Sequence, residues 1–186
     1  MGCEDMNVLV LTGSPRKKGT TAQLAEAFIR GAEEAGHKVD RFDTAFMKVS
    51  PCKACYACKP DKKSCAIKDD MVPLIGDDGL LLQADVIVFI TPIYYFTMTA
   101  QLKIVLDRIY AIGRKMREKD QKLVVLAAAG DSDPAVMNGL NYQMESLRKW
   151  THWKDGGSLA AFGCHEPKDL EDTDFLEKAH ALGANL

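Results

Sequence analysis

This sequence predicts a doubly wound α/β fold, in which helices cover both faces of one parallel β-sheet. Three runs of consecutive apolar residues recur along the chain, namely NVLVLT, DVIVFIT and KLVVLAA. Runs without alternation are typical of strands buried on both faces. Segments with helical periodicity separate them, which indicates a parallel sheet. With 186 residues and 47% hydrophobic content, the chain is expected to form a single domain over residues 1–186.

The first half of the chain predicts a complete βαβ unit. Residues 7–12 form the first apolar run. From Thr20 onward, apolar residues recur at helical spacing as far as Gly36, a residue well suited to end a helix. Residues 38–43 then supply a short second strand. A longer, Cys-rich insertion over residues 44–72 follows, before a helix predicted at about 69–83.

The second half repeats the alternation and brings the number of strands to five. Strands are predicted over residues 85–91 and 122–128, separated by a helix whose apolar stripe runs from Leu102 to Ile112. A helix at about 135–151, a strand at about 156–163 and a terminal helix at about 170–182 complete the chain. Five strands arranged in this way favour the sheet order 2-1-3-4-5.

The charge balance argues against nucleic-acid and membrane partners. A net charge of −2 and a pI of about 6.1 give no general attraction to polyanions. No apolar run approaches the roughly 20 residues that span a bilayer, and the start MGCEDMN does not resemble a signal peptide. We therefore expect a cytoplasmic protein, in which clustered cysteines favour metal or redox chemistry over structural disulfides.

The loop after the first strand has the composition of a phosphate site. It reads GSPRKKGTT and leads directly into a helix. Free N–H groups at a helix N-terminus, the hydroxyls of Ser14, Thr20 and Thr21, and the cation of Arg16 together suit a phosphate monoester. The glycine spacing, with no Lys after Gly19, fits neither the P-loop nor the G-x-G-x-x-G fingerprint. The alternative is an ordinary turn with Thr20 as the helix cap.

Two segments resemble the NADPH-dependent FMN reductase and iron–sulfur flavoprotein family, which has a flavodoxin-like fold. They are GSPRKKGTT after the first strand and TPIYYFTMTAQLKIVLDR after the third, and the similarity covers roughly residues 7–130. The resemblance implies bound FMN, with NAD(P)H as a donor. It assigns the FMN phosphate to Ser14, Arg16, Gly19, Thr20 and Thr21, and the flavin ring to Pro92, Ile93, Tyr94, Tyr95 and Phe96. The family's third contact loop corresponds to Ala129, Gly130 and Asp131.

The position of these segments in the fold supports the same site. Strands one and three flank the topological switch point, where doubly wound sheets bind ligands. The aromatic residues offer flat apolar surface, although dimer or core contacts are an alternative role for them. The flavin itself carries the chemistry in such enzymes, so no catalytic acid or base is predicted. Family members are commonly homodimers or larger, which implies a homo-oligomer.

Four cysteines of the insertion have the spacing of an iron–sulfur motif. Cys52, Cys55, Cys58 and Cys65 form a C-x2-C-x2-C-x6-C run, which resembles the compact ligand run of bacterial ferredoxins for a four-iron (4Fe-4S) cluster. The last gap is longer than in ferredoxins and Ala66 follows it instead of proline, but the run is similar to the motif of iron–sulfur flavoproteins. A zinc site with four cysteines and metal-free thiols are the alternatives.

Residues around and beyond this run have weaker signals. Lys59, Lys62, Lys63 and Lys68 either steer an acidic electron donor or form a solvated loop face. Cys3 and Cys164 are far away in sequence and are interpreted as structural or incidental. Trp150 and Trp153 are expected to pack in a core or subunit interface.

These motifs favour an FMN-dependent oxidoreductase that passes electrons between FMN, a four-iron cluster and a ferredoxin-like or small-molecule partner. One alternative is a cluster-free NAD(P)H-dependent reductase of flavins, quinones or nitro compounds. A second is a flavodoxin-like electron carrier without turnover of its own, and a third is a zinc-bearing interaction module.

Overall fold

The chain folds around one sheet of five parallel strands. The computed structural model describes residues 5–59 and 65–186, so Cys3, Lys62 and Lys63 lie outside the described residues. The strands are β1 (Asn7–Thr12), β2 (Lys38–Asp43), β3 (Val86–Pro92), β4 (Lys122–Ala128) and β5 (Lys154–Ala161). Their order in the sheet is β2-β1-β3-β4-β5, which confirms the prediction.

Helices of very different lengths connect the strands. The α-helices are α1 (Thr20–Glu34), α2 (Val72–Ile75), α3 (Leu80–Gln83), α4 (Ala100–Arg108), α5 (Gly113–Met116), α6 (Asn138–Thr151) and α7 (Phe175–Ala184). Short 3-10 helices occupy Thr44–Phe46, Ile109–Ala111, Pro134–Met137 and Pro167–Leu170. Within the described part of the chain, no helix is long and apolar enough to cross a membrane.

Side chains of the central strands alternate between two cores, one on each face of the sheet. Val8 and Val10 of β1 belong to the core that includes α1 and α7. Leu9 and Leu11, which point the opposite way, belong to the core that includes α4 and α6. Because both faces are covered, the interior positions of such a strand are nearly all apolar. This explains why the apolar runs show no alternation.

The strand register brings three loops to one edge of the sheet. Pro92 at the end of β3 pairs with Ala128 at the end of β4. Hydrogen bonds continue just beyond the strands, where the N–H of Gly13 donates to the carbonyl of Ile90 and the N–H of Ile93 donates to that of Ala128, both at 2.8 Å. The loops after β1, β3 and β4 therefore lie side by side at the carboxyl edge of the sheet.

The helix predicted at about 69–83 is wrong in its extent. Two short helices, α2 and α3, occupy this segment, with Gly76 and Gly79 between them. A Cβ on Gly79 would lie 2.5 Å from the carbonyl oxygen of Leu74, so the chain folds back on itself at this glycine. A continuous helix cannot make that close approach.

The boundaries of the last two elements also differ from the predictions. β5 begins at Lys154, two residues before the predicted start, in a polar stretch that lacks a strand-like pattern. Helix α7 begins at Phe175 because Pro167–Leu170 forms a separate 3-10 helix. That helix has its own capping box between Glu166 and Asp169.

Candidate functional site

The loop between β1 and α1 is held against the start of α4. A Cβ on Gly13 would lie only 2.5 Å from the hydroxyl oxygen of Thr99. The Thr99 hydroxyl donates to the carbonyl of Gly13 at 2.7 Å, and it also accepts from the N–H of Leu102 as the N-cap of α4. One threonine therefore fixes both the loop and the helix beneath it.

The first turn of α1 presents polar groups that have no internal partner. Gly19, not Thr20, occupies the N-cap position, and no side chain caps the helix. Thr20 is 3% exposed, and its hydroxyl oxygen has no hydrogen-bond partner among the described residues. Leaving a buried hydroxyl unpaired is costly. Together with the positive end of the helix dipole, this hydroxyl favours an anion at the turn.

Ser14 and Arg16 complete this loop. The Ser14 hydroxyl accepts from the N–H of Arg16 at 3.1 Å. The Arg16 side chain is exposed, and its guanidinium donates to the carbonyl of His165 at 3.2 Å. Sequence reasoning missed His165, because it lies 149 residues away from Arg16 and its only signal is its place just beyond β5.

The loop after β4 is bound to the loop after β5. The N–H of Cys164 donates to the carbonyl of Ala129 at 2.9 Å. Gly130 lies against the imidazole of His165, where a Cβ would come within 2.4 Å of a ring atom. His165 therefore contacts both Gly130 in the loop after β4 and Arg16 in the loop after β1. The two loops lie close together around this residue.

The aromatic loop after β3 contains a tight turn with an unusual backbone. Tyr94 and Thr97 exchange two backbone hydrogen bonds, while Tyr95 (φ 47°) and Phe96 (φ 68°) are left-handed. This is the pattern of a type I′ turn, which normally uses Gly, Asn or Asp. The Tyr95 side chain is 96% exposed and that of Phe96 60%. Strained backbone of this kind clusters at ligand sites.

Neighbouring residues hold this turn in place. The Thr97 hydroxyl donates to the side-chain oxygen of Gln143 in α6 at 2.8 Å. A Cβ on Gly139 would lie 2.4 Å from the carbonyl oxygen of Phe96, so a glycine is needed where α6 passes the turn. Within the described residues, the N–H groups of Tyr95 and Phe96 make no hydrogen bond. They remain available to a ligand.

All four predicted cysteine ligands line one cavity of about 430 Å³. Cys52 and Cys55 are exposed, whereas Cys58 and Cys65 are half-buried. Burial raises the pKa of the Cys58 thiol, its own backbone hydrogen bond opposes the rise, and the charges of the other three cysteines raise it further.

The backbone of the cysteine loop bends through two left-handed residues. Ala54 has a φ of 50° and Tyr56 a φ of 54°, one on each side of Cys55. Neither residue is glycine, so each conformation costs on the order of 1–3 kcal/mol. Contacts elsewhere must therefore hold the loop in this shape.

Arg108, the last residue of α4, supplies contacts of that kind. Its Nη1 donates to the carbonyl of Ser50 at 2.8 Å and its Nη2 to the carbonyl of Ile67 at 3.3 Å. Both nitrogens also bind the carboxylate of Asp69, at 3.0 and 3.2 Å. Ser50 precedes the four cysteines and Ile67 follows them. One buried guanidinium therefore ties together the two ends of the cysteine loop.

The charges of this buried pair stabilise each other. Burial alone would lower the pKa of Arg108, but the hydrogen bond to Asp69 and the negative charge of Cys65 raise it above its usual value. Burial alone would raise the pKa of Asp69, but Arg108 and two backbone N–H groups hold it below its usual range. Sequence reasoning gave Arg108 no role of its own, because a charged residue at the end of a helix is usually exposed.

Comparison with known proteins identifies the family. Residues 6–163 match the family described as NADPH-dependent FMN reductase. An iron–sulfur flavoprotein of Archaeoglobus fulgidus is 28% identical over 97% of this chain and 79% of its own length. An iron–sulfur flavoprotein of Methanosarcina thermophila is 31% identical over 79% of this chain and 73% of its own length.

Solved structures show the same fold at lower sequence identity. An NAD(P)H:quinone oxidoreductase from Methanothermobacter marburgensis has a TM-score of 0.74 at 22% identity, covering 97% of this chain and 96% of that one. An azoreductase from Bacillus anthracis has a TM-score of 0.74 at 18% identity, covering 97% of this chain and 100% of that one. The chain therefore belongs to the NADPH-dependent FMN reductase and iron–sulfur flavoprotein family, and it is an FMN-dependent oxidoreductase.

Proposed function

We propose that this oxidoreductase holds FMN at the carboxyl edge of the sheet and a four-iron cluster on the cysteine loop, and exchanges electrons with a ferredoxin-like protein or a small molecule. The observation that carries the proposal is the meeting of Cys52, Cys55, Cys58 and Cys65 around one cavity. When bound, FMN supplies hydride and electron transfer, and the cluster supplies single-electron transfer. The chain itself binds, orients and shields these groups.

The proposed phosphate site is the first turn of α1 with the loop before it. Its residues are Ser14, Arg16, Gly19, Thr20 and Thr21. A phosphate oxygen can accept a hydrogen bond from the buried Thr20 hydroxyl, which has no partner within the described chain. The exposed guanidinium of Arg16 adds a charge-assisted hydrogen bond to the same group. The backbone N–H groups of the helix N-terminus complete an anion site.

The proposed flavin-ring site lies between the loops after β3 and β4. Its residues are Pro92, Ile93, Tyr94, Tyr95 and Phe96 on one loop and Ala129, Gly130 and Asp131 on the other. The exposed rings of Tyr95 and Phe96 offer apolar surface, and the backbone N–H groups of the same turn can donate to the polar edge of a flavin. No side chain in these loops is assigned as an acid or base.

Replacing Thr20 with Val is expected to stabilise the FMN-free protein and to weaken FMN binding. Valine keeps the shape but removes a buried hydroxyl without a partner, so the free energy of unfolding should rise by about 1 kcal/mol. Loss of the phosphate contact should lower FMN affinity by roughly tenfold. Chemical denaturation and FMN titration measure the two quantities, and unchanged FMN affinity would contradict the assignment.

A matched control is Thr151→Val. Thr151 is also buried in a helix, but its hydroxyl already donates to the carbonyl of Leu147 at 2.8 Å. This substitution should therefore not stabilise the protein, and FMN affinity should stay at the wild-type value.

The cysteine spacing favours a cluster over a single zinc ion. Four cysteine thiolates in a compact run are the usual ligands of a 4Fe-4S cluster. A zinc site with four cysteines normally uses two separated C-x2-C pairs, whereas here the first three cysteines are evenly spaced. In residues 5–59 and 65–186, no group of three or more His, Cys, Asp or Glu side chains is arranged to hold a metal ion. The spacing of the thiols in the sequence therefore supports the cluster, and not their arrangement in the structure.

Donor and acceptor follow from the family and from local charge. NAD(P)H is the proposed donor, since the family is described as NADPH-dependent. Lys59 lies within the cysteine loop and Lys68 just after it, and their charge favours an acidic partner such as a ferredoxin-like protein. We also propose a homo-oligomer, a dimer or tetramer, since the aromatic side chains of Tyr95, Phe96 and Tyr142 are exposed.

A cluster-free NAD(P)H-dependent reductase of quinones, flavins or nitro compounds is the second candidate. The observation that favours it is the exposure of Cys52 and Cys55, which leaves two of the four thiols open to solvent. Activity of this kind requires only the FMN loops. It would persist after removal of a cysteine.

Cluster assembly is expected to require the thiols of the cysteine loop and not the buried thiol of Cys164. Cys55→Ala should lose iron and acid-labile sulfide but keep FMN, because the FMN loops follow β1, β3 and β4, whereas the cysteine loop follows β2. Cys164→Ala, which alters a thiol that is 4% exposed, should keep its iron. The iron and acid-labile sulfide contents of each variant are measured on anaerobically purified protein. Equal iron in Cys55→Ala and wild-type protein would contradict the cluster.

A further inference from the structure

A second and larger cavity lies beside the cysteine loop. Its volume is about 750 Å³, and it is bordered by Cys58 and Lys59 on one side and by α5 and Trp150 on the other. Small-molecule sites usually have volumes of about 300–1,000 Å³. Neither the FMN loops nor the four-cysteine motif accounts for this cavity.

The walls of this cavity are partly aromatic. Tyr110 is 58% exposed and Trp150 is 47% exposed, and both border the cavity. The indole of Trp150 lies directly on Gly113, where a Cβ would come within 2.6 Å of a ring carbon. The indole can pack this closely only because Gly113 has no side chain, and this contact fixes the position of Trp150. Flat aromatic walls of this kind suit a planar ring.

The charge of the cavity is positive. Four cations border it (Lys59, Arg114, Lys115 and Arg117), with Asp77 as the carboxylate. Lys115 is paired with Asp77 at 2.9 Å. Lys59 and Arg117 form no ion pair with a carboxylate of the described residues. Instead, the Lys59 ammonium lies over the Tyr56 ring and the Arg117 guanidinium lies 5.6 Å from the Trp150 ring.

This cavity also adjoins the cysteines. Cys58 and Tyr110 border both this cavity and the one that the four thiols share. A molecule bound here would therefore lie next to one of the proposed cluster ligands. Electron transfer is favoured by a short path, so a redox-active ligand at this place would be well positioned to react.

We propose that this cavity binds a planar aromatic anion, such as a quinone that carries a sulfonate or carboxylate, as the electron acceptor of the enzyme. This proposal rests on the proposed function, because it assumes that electrons pass from the cluster on the cysteine loop to the bound acceptor. In the net reaction, NADPH loses a hydride to become NADP⁺. The quinone gains two electrons and two protons and becomes a hydroquinone, and the second proton comes from solvent.

Binding of two matched ligands to the purified holoenzyme tests the proposal. Anthraquinone sulfonate is the anionic probe and hydroxymethyl anthraquinone is its uncharged analogue. Both have fused rings without an open quinone position, so they do not add to the exposed thiols. Isothermal titration calorimetry measures affinity without turnover. Wild-type protein should bind the anion at least tenfold more tightly than the analogue, and added salt should reduce the difference.

Variants identify the cations responsible. Arg117→Gln and Lys59→Gln should each lower the affinity for anthraquinone sulfonate about tenfold, while the affinity for the uncharged analogue changes less than twofold. Lys149→Gln is the control, since Lys149 is an exposed cation of α6 paired with Glu145, and it should change neither affinity. Equal losses for both ligands, or no loss in either cavity variant, would overturn the proposal.

Iron content of the same samples separates the two hypotheses. If the protein contains iron but binds both ligands with equal affinity, the acceptor site is refuted and the cluster hypothesis is unaffected. Iron-free protein that retains charge-selective binding would support the site and contradict the cluster.

Discussion

Arg108→Met is expected to lower the free energy of unfolding by about 3–5 kcal/mol and to prevent stable assembly of the cluster. The Arg108 side chain is only 1% exposed and that of Asp69 only 11% exposed. Methionine has a similar length but no charge, so it would leave Asp69 buried without its partner. Removing one member of a buried ion pair costs this much because the remaining charge is uncompensated.

The same substitution would also release the cysteine loop. Without the guanidinium, no other side chain of the described residues joins the carbonyls of Ser50 and Ile67, and the left-handed residues between them lose this support. Arg108→Lys should recover only part of the stability, because an ammonium cannot form the forked contact with a carboxylate.

Urea denaturation of the cluster-free protein and iron analysis after reconstitution measure these effects. Arg148→Met is a suitable control, since Arg148 pairs with Glu145 on the solvent-exposed side of α6. Pairs of that kind contribute little, so this variant should unfold close to the wild type and keep its iron. A stability of Arg108→Met that matches the wild type would refute the bracing role.

Arg16→Ala is expected to weaken FMN binding by about 10- to 150-fold. This range corresponds to the roughly 1.5–3 kcal/mol of a charge-assisted hydrogen bond to phosphate. Arg16 is exposed. Among the described residues, its guanidinium forms a hydrogen bond only with the backbone carbonyl of His165. The stability of the FMN-free protein should therefore change little.

Titration of the FMN-free protein with FMN measures this effect. Lys17→Ala is the matched control, because Lys17 is the neighbouring cation but lies over the ring of Phe46 at 4.9 Å. Its removal should have a much smaller effect on FMN affinity. Unchanged affinity in Arg16→Ala would mean that the phosphate loop is assigned wrongly.

Much of the fold could be predicted because buried parallel strands have a strong local signal. The bounds of β1, β2 and β4 agree with the predictions, and those of β3 differ by one residue. The sheet order followed from the alternation of strands and helices. The start of β5 was less predictable, because Lys154 and Asp155 at an edge strand are exposed and polar.

The candidate site was predictable where its residues are close together in sequence. The phosphate loop, the aromatic loop and the four cysteines each form a continuous motif. Arg108 and His165 are different, because their roles depend on contacts between distant segments. No pattern within α4 distinguishes a guanidinium that braces a loop from one that faces solvent.

Backbone conformation was also beyond the sequence pattern. A type I′ turn is usually indicated by Gly, Asn or Asp, but here Tyr95 and Phe96 adopt the left-handed conformation. Packing of the turn against Gln143 and Gly139 of α6 determines this shape. Neither contact has a sequence signal, because each joins elements more than 40 positions apart.

The ultraviolet–visible spectrum of anaerobically purified protein, recorded before and after stepwise reduction, tests the central claim most directly. FMN together with a cluster predicts two flavin bands with a broad brown shoulder, all of which bleach on reduction. Flavin bands without the shoulder would contradict the cluster and favour the cluster-free reductase. A colourless protein that also fails to take up added FMN would contradict the account as a whole.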